Sequence, residues 1–204
     1  MLRVVLIVLS VFFISACTMP ETKIYSLNMS DTSSSSYSKS EKERLSDVTN
    51  VKADSSIVIR VFSPRYLSQA YIAYRGSPYQ LEVSRYSKWE SPPNLMVKEA
   101  FKDSLSSTGL FKEVRATNAV SEGFYLLDIN LKRFERSDNG NDSFADLVFD
   151  VNLVSPGGSE ISRFTVSKKV KLTDRSFLSL ARGLSSALSE GIGEVRKVVS
   201  DSVK

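Results

Sequence analysis

Residues 57–62 read Ile-Val-Ile-Arg-Val-Phe and carry the clearest strand signal of the chain. All but one of these side chains are apolar, so both faces of the strand would be covered. A run of this kind is typical of a strand inside a sheet, where neighbouring elements cover both faces. The folded domain is therefore predicted to begin at Ile57 and to extend over residues 57–204.

Two hairpins are predicted downstream of this strand. Residues 70–75 and 79–83 flank Gly76-Ser77-Pro78, which has the composition of a turn. Apolar residues alternate with polar ones in 147–153, and a Pro-Gly-Gly-Ser turn leads from there to a returning strand at 164–172. These patterns indicate strands with one face in the core and one face in water.

A further strand is predicted at residues 127–131, which alternate in the same way. Lys168 falls on the inward register of the last predicted strand, so we expect a β-bulge or a strand end there. The run Lys168-Lys169-Val170-Lys171 is interpreted as a solvated strand face, with contact to anionic lipid headgroups as the alternative.

Two helices complete the pattern. Ser91-Pro92-Pro93 supplies a cap residue and prolines for a helix that runs to Thr108, where Gly109 stops it. Residues 175–203 are predicted to form one long helix with a single apolar stripe, although its three glycines weaken it by up to about 1 kcal/mol each relative to alanine. The predicted fold is α+β: a single mixed, mainly antiparallel sheet of about six or seven strands with two helices, the second long and C-terminal.

The composition excludes most catalytic chemistry. The 204 residues include no histidine and one cysteine, so a Ser-His-Asp triad, a Cys-His dyad, His-ligated metal and internal disulfides are absent. The sequence also lacks a GxxxxGK[ST] phosphate loop. Asp146 and Asp150 have strand spacing and would share a solvent face, whereas a general acid needs a desolvated pocket. We predict that the protein is not an enzyme and holds no cofactor or metal.

The N-terminal segment has the pattern of a bacterial lipoprotein signal. Arg3 precedes an apolar run at residues 4–14, which is shorter than the roughly 20 residues of a membrane-spanning helix. The Ile-Ser-Ala-Cys sequence that ends at Cys17 resembles a lipobox, so residues 1–16 are predicted to be a signal peptide and Cys17 the lipidated residue. Acyl chains, with palmitate among them, would hold the protein on a membrane. In enterobacterial lipoproteins, an aspartate directly after the lipidated cysteine retains the protein in the inner membrane. Because this position is Thr18 here, the expected location is the periplasmic face of the outer membrane.

Residues 17–56 are predicted to contain the lipidated N terminus, an early strand and a flexible segment. Serine is abundant, with four in a row at 33–36, and such a composition buries too little apolar surface to become ordered. Residues 24–27 differ because apolar and aromatic side chains alternate there. We favour pairing of this strand with the sheet, which would leave six residues, 18–23, between Cys17 and the domain, a span of at most about 20 Å.

Residues 62–89 contain most of the tyrosines and the only tryptophan. Trp89 is predicted to lie in the loop before the first helix, where an aromatic ring either anchors the loop or faces a partner. Anchoring is the favoured interpretation for this residue, whereas exposed aromatic side chains would mark a contact surface. The candidate partner-binding residues are Tyr66, Leu67, Tyr86 and Trp89.

The order of motifs in this region is similar to that of a known family. Pro64-Arg65-Tyr66-Leu67, Ile72-x-Tyr74-Arg75 and Tyr86-x-Lys88-Trp89-Glu90, followed by a proline-initiated helix, resemble the ABC-type transport auxiliary lipoproteins of the PqiC/YmbA type. The lipobox, an early Tyr25-Ser26-Leu27 strand and the long C-terminal helix also fit this family. The resemblance therefore extends over nearly the whole chain after the signal peptide.

The resemblance implies a membrane-anchored periplasmic lipoprotein that is the non-enzymatic auxiliary component of an MCE/ABC-type intermembrane lipid transport system. Its partners would be an MCE-domain protein and inner-membrane ABC transporter components, and it would dock the conduit at the outer membrane, singly or as a homo-oligomeric ring. No nucleic-acid partner is expected. The alternative is an outer-membrane assembly or envelope-scaffold lipoprotein that binds a protein without moving lipid, and a neighbouring gene set of ABC ATPase, permease and MCE-domain protein would favour transport.

Overall fold

The computed structural model describes residues 21–29, 54–120 and 122–203. In this part of the chain, one sheet of eight strands carries two α-helices, so the predicted class is confirmed and the sheet is slightly larger than expected. The strands are β1 (Lys23–Tyr25), β2 (Ser56–Phe62), β3 (Tyr71–Ser77), β4 (Gln80–Trp89), β5 (Glu113–Ala116), β6 (Tyr125–Asn139), β7 (Asp142–Val154) and β8 (Glu160–Lys171). The helices are α1 (Pro93–Ser106), α2 (Phe177–Ser202) and a 3-10 helix at Arg65–Ser68. Cys17 and the serine run lie outside the described residues.

Strand β6 organises the sheet. It pairs in parallel with β2 as far as Asn130, and it pairs in parallel with β3 at Arg136 and Ser137. Strands β2 and β3 therefore share one edge of β6, one after the other, and the 3-10 helix lies between them in the chain. On the opposite edge, β6 pairs with β7 in an antiparallel ladder, and β8 extends the sheet beyond β7.

The remaining strands extend the sheet beyond β2 and β3, on the side of β6 away from β7. Strand β4 pairs antiparallel with β3, and β1 pairs parallel with β4, so that Lys23, Ile24 and Tyr25 lie opposite Ser87, Lys88 and Trp89. Strand β5 pairs in parallel with β2. The sequence predicted a strand at 24–27, and the structure has one that begins and ends slightly earlier.

Both helices pack on the same face of the sheet. The ring of Phe101 in α1 meets Phe149 of β7 edge-on, with the ring centroids 5.7 Å apart. Helix α2 also contacts Phe149, because a Cβ atom added at Gly191 would lie 3.1 Å from its ring. At Gly183 an added Cβ would lie 2.7 Å from a methyl group of Leu172. Two of the glycines that weaken α2 as a helix therefore allow it to approach the sheet closely.

The ends of the helices follow their capping chemistry. Helix α1 begins at Pro93, as expected, but Ser91 is not its cap, because the N-cap residue is Pro92 and makes no side-chain capping bond. Helix α2 begins after Ser176, whose hydroxyl oxygen accepts a hydrogen bond from the Ser179 amide at 3.1 Å. Helix α2 therefore has the side-chain cap that α1 lacks.

Two local predictions are wrong. Trp89 is not in a loop but ends β4, where its amide donates to the carbonyl of Ala70 at 2.8 Å. Lys168 marks neither a bulge nor a strand end, because β8 pairs regularly with β7 there, opposite Leu147. The lysine fits this inward position because its Nζ reaches Oε1 of Glu194 on α2 at 2.6 Å, and that hydrogen bond raises the pKa of Lys168.

Candidate functional site

The face of the sheet opposite the helices carries a set of polar side chains. We call it the helix-free face and define it by Arg60, Phe62, Asp128, Lys132 and Asp150. Successive residues of a strand point to opposite faces, so these side chains alternate with residues that point into the core. The core residues next to them in β2, β6 and β7 are buried and include Ile59, Val61, Leu127, Ile129, Leu131, Phe149 and Val151.

Ion pairs connect the strands across the helix-free face. Arg60 lies directly opposite Asp128, and its Nε and Nη2 contact the two carboxylate oxygens at 2.6 and 2.7 Å. This two-point geometry fixes the relative position of both side chains. Lys132 Nζ lies 2.5 Å from Asp150 Oδ2, and Thr165 donates to the other oxygen at 2.7 Å. These bonds lower the pKa of Asp150, so this carboxylate is charged at neutral pH and is not a general acid.

Phe62 is the apolar exception on this face. Its side chain is 47% exposed, and the guanidinium carbon of Arg60 lies 5.4 Å from its ring centroid. The ring borders an open groove of about 680 Å³, where the Oδ1 atom of Asn152 is buried without a hydrogen-bond partner. An exposed aromatic ring beside an arginine, surrounded by polar groups, is typical of a protein-binding surface.

A buried carboxylate links the 3-10 helix to β6. Glu135 has no exposed side-chain surface, and its Oε1 lies 2.5 Å from Nε of Arg75. The Tyr66 hydroxyl lies 3.1 Å from both Oε2 of Glu135 and the carbonyl oxygen of Lys132, which accept its hydrogen bond. That carbonyl belongs to the part of β6 between the segments paired with β2 and β3. Burial and the neighbouring Glu135 raise the pKa of Tyr66 to about 12.

The four partner-binding candidates differ in how far they are buried. Leu67 and Trp89 are 0% and 2% exposed and belong to the core, where the Trp89 ring meets Phe134 edge-on at 5.4 Å. Tyr66 is half-buried and bonded to Glu135, whereas Tyr86 is 50% exposed on β4. Anchoring, the favoured interpretation of Trp89, agrees with this burial.

Sequence reasoning missed the ion pair and the exposed ring on the helix-free face. A signal for them exists, because Arg60 is the one charged residue in an apolar strand and Asp128 lies at a polar position of a strand predicted from alternation. Asp146 also differs from its predicted solvent position, since it is 6% exposed and lies 3.1 Å from Arg133. Pairing with cations therefore accounts for the acidic side chains of β7 that sequence spacing placed in water.

Two features are absent from residues 21–29, 54–120 and 122–203. These ranges contain no cluster of three or more side chains suited to bind a metal ion. Within the same ranges, neither helix combines the length and the apolar character that crossing a bilayer requires.

Among the residues that the structure describes, the fold and the polar face define a two-layer α+β domain in which no helix covers the second face of the sheet. The chain matches the model of the family described as the ABC-type transport auxiliary lipoprotein component over residues 41–195. This match covers more than half of the chain, and the chain therefore belongs to that family. The resemblance inferred from the sequence is confirmed.

Solved structures share this fold at low sequence identity. A protein from Xanthomonas campestris with the DUF330 family model is 18% identical, has a TM-score of 0.64, and aligns over 72% of this chain and 86% of its own. An uncharacterized protein is 14% identical, with a TM-score of 0.66 over 88% of this chain and 99% of its own. Both similarities show the fold alone. No curated protein sequence matches the chain significantly.

Proposed function

We propose that this chain is the membrane-anchored, non-enzymatic auxiliary component of an MCE/ABC-type intermembrane lipid transport system. Membership of the auxiliary lipoprotein family supports the transport role, and the lipobox-like sequence before Cys17 supports a lipid anchor. Thr18 after that cysteine favours the periplasmic face of the outer membrane. The observation that carries the proposal is the helix-free face, because a sheet sealed by helices on one side has its other side available for a protein partner.

The partner contact is assigned to the surroundings of Phe62. Its ring would enter the partner, while the bidentate pair of Arg60 and Asp128 and the groove-lining amides surround it with hydrogen-bonding groups. A buried ring inside a polar rim is the arrangement that gives most of the binding energy in many protein interfaces. The partner would be the MCE-domain protein, and a homo-oligomeric ring would repeat this face around the conduit.

The four residues named from the sequence enter this proposal in different ways. Tyr66 borders the helix-free face and would act by positioning the 3-10 helix against β6. Leu67 and Trp89 would act only through packing, because both are buried. Tyr86 lies on β4, which β3 separates from β6 and the surroundings of Phe62.

The binding experiment compares Phe62→Ala with Val120→Ala, whose side chain is 65% exposed in the segment between β5 and β6. Binding of the full lipoprotein to the MCE-domain protein encoded beside it would be measured by surface plasmon resonance. We expect Phe62→Ala to weaken binding at least tenfold, which corresponds to about 1.4 kcal/mol. Val120→Ala should leave binding unchanged, and both variants should unfold at the temperature of the parent protein.

Two results would oppose this function. Equal binding by both variants would show that the helix-free face is not the docking site. A chromosomal neighbourhood without an ABC ATPase, permease and MCE-domain protein would instead favour the envelope-scaffold alternative. In that case the same binding experiment would be made with a protein captured from the outer membrane.

The anchor is tested separately with Cys17→Ala. We expect this variant to accumulate as an uncleaved and unacylated precursor, detected by its mass and by its loss from the outer-membrane fraction. A processed and acylated Cys17→Ala protein would show that the lipobox assignment is wrong.

A further inference from the structure

A second exposed surface lies where β1, β3 and β4 form one end of the sheet. Ile24, Tyr71, Val83 and Tyr86 are 70%, 39%, 44% and 50% exposed. The register places Ile24 and Tyr71 opposite Lys88 from its two sides, so three strands contribute side chains to one row. Adjacent strands are about 4.8 Å apart, so this row is about 10 Å wide. We call these five residues the edge patch.

The edge patch combines apolar, aromatic and cationic groups, and no acidic residue of β1, β3 or β4 belongs to it. Lys88 Nζ lies 6.0 Å from the ring centroid of Tyr71. Glu82 is the one acidic residue of β1, β3 and β4, and it accepts a hydrogen bond from the Tyr74 hydroxyl at 2.9 Å. Tyr74 in turn contacts Phe177 of α2, with ring centroids 6.2 Å apart, so this carboxylate belongs to the helix side of the sheet.

This composition matches the interfacial region of a lipid bilayer. Tyrosine rings prefer that region because they present an apolar body and a polar hydroxyl. A lysine can lie along apolar surface with its stem while its ammonium group reaches the phosphate groups. An aliphatic side chain such as Ile24 gains free energy there when it leaves water.

The edge patch is also the part of the described domain that follows the proposed anchor most closely. Lys23 begins β1 and is only six residues after Cys17. Those residues span at most about 20 Å even when fully extended. Because β1 contributes Ile24 to the patch itself, an anchored Cys17 would keep the patch within that distance of the bilayer.

We propose that the edge patch rests on the phospholipid bilayer in which Cys17 is anchored, with its rings at headgroup level and Lys88 at the lipid phosphates. This inference rests on the lipid anchor of the proposed function. The acyl chains alone are sufficient to hold the protein on the membrane. The patch adds a second contact, which fixes the orientation of the domain and therefore the direction in which the helix-free face is presented.

The test places a single fluorescent probe on the patch of the full, acylated lipoprotein. Cys17 is the only cysteine of the chain, so Tyr86→Cys adds the one free thiol when Cys17 is acylated. The matched control is Ile161→Cys on β8, at the opposite edge of the sheet, where the side chain is 37% exposed. Both proteins would be labelled with NBD and reconstituted into phosphatidylethanolamine and phosphatidylglycerol vesicles that contain a brominated lipid.

We expect the brominated lipid to quench the probe at residue 86 at least twofold more than the probe at residue 161. Ile24→Asp combined with Lys88→Glu should remove this difference, while flotation of the vesicles still carries the protein and its unfolding temperature remains that of the single-cysteine parent. Equal quenching at both positions in an acylated protein would overturn the proposal. The proposal would also be overturned, in favour of a protein contact, if the probe at residue 86 became shielded from water only after the MCE-domain protein was added.

Mass spectrometry of the purified protein tests the lipid anchor separately from the bilayer contact. An unmodified Cys17 would refute the anchor, and the proposal of a bilayer contact would fail with it. An acylated Cys17 with an unquenched patch would leave the anchor intact and refute only the contact between the edge patch and lipid.

Discussion

The two faces of the central β6–β7 ladder are made from alternate residues of the same strands, yet they are held together differently. On the helix-covered face, side chains such as Leu131 and Phe149 are fully buried, and α2 approaches Phe149 closely at Gly191. On the helix-free face, Lys132 and Asp150 form an ion pair in which both side chains retain contact with water. One face is a packed apolar core, and the other carries ion pairs between side chains that reach water.

This difference separates stability from recognition. Burial of a large apolar side chain contributes about 1.5–3 kcal/mol, whereas an exposed ion pair contributes about 0–1 kcal/mol. The helix-covered face should therefore set the free energy of unfolding. The helix-free face can change to suit a partner at little cost in stability, and this contrast is open to direct tests.

The largest expected difference is between Trp89→Ala and Phe62→Ala. Trp89 is buried against Phe134, so its truncation should lower the free energy of unfolding by about 3–5 kcal/mol. Phe62 is 47% exposed, and its truncation should cost less than about 1 kcal/mol. Urea unfolding followed by far-ultraviolet circular dichroism measures both values. Similar losses for the two variants would mean that the helix-free face also belongs to the core.

The contact between α2 and the sheet gives the next effect. Gly183→Ala should destabilise the protein by about 1–3 kcal/mol, because its Cβ would lie 2.7 and 2.9 Å from Leu172 and Ala145. At Gly193 an added Cβ meets no atom within 4 Å, so Gly193→Ala should stabilise the helix by up to about 1 kcal/mol. Thermal melts of the two variants should shift in opposite directions. A shift of the same sign would contradict the close packing of α2.

Tyr66→Phe tests the polar connection beneath the 3-10 helix. Loss of the hydroxyl that bonds Glu135 and the Lys132 carbonyl should cost about 1 kcal/mol at neutral pH. In the folded protein the Tyr66 pKa is raised to about 12, so the unfolded chain loses this proton first as the pH rises above 10. The stabilising effect is therefore complete below pH 10 and is lost as the pH approaches 12.

The measurement for Tyr66 is the free energy of unfolding as a function of pH. Between pH 10 and 12 the parent protein should lose stability more steeply than Tyr66→Phe, which has no proton to release at this position. Parallel pH profiles for the two proteins would show that the hydroxyl is not held as described.

The smallest expected effect concerns the inward lysine of β8. Lys168→Met keeps an unbranched side chain against α2 and removes the bond to Glu194. Because both partners reach water, the free energy of unfolding should change by less than about 1 kcal/mol. A larger loss in chemical denaturation, absent from a Glu194→Gln variant, would show that Lys168 stabilises the core in another way.

Local patterns in the sequence were sufficient to predict the layers of the fold. Alternation in β6 and β7 and the apolar stripe of α2 depend on neighbours within a few residues, so they can be read from the sequence. The arrangement of β2 and β3 along one edge of β6 could not be predicted in this way. It depends on pairs such as Arg60 and Asp128, which are 68 residues apart.

The candidate site was less predictable than the fold for a related reason. Aromatic composition identified the region of Tyr66 and Trp89, but exposure depends on which face of the sheet a side chain reaches and on what covers that face. Trp89 is a core residue because β4 continues as far as this residue, whereas the strand predicted next to the turn was limited to residues 79–83. Phe62 is exposed because it lies at the end of β2, where its partner in the ladder is the exposed Asn130.

The parallel pairing of β1 with β4 has a mechanical consequence. A pull between the membrane anchor and a partner bound to the domain would pass through β1, which holds only three residues. This strand should detach under a smaller load than the long ladders of β6, β7 and β8. Its release would break the pairing of Lys23, Ile24 and Tyr25 with β4, and the edge patch would lose Ile24. Under tension the domain would therefore yield at β1 first, while its core stayed folded.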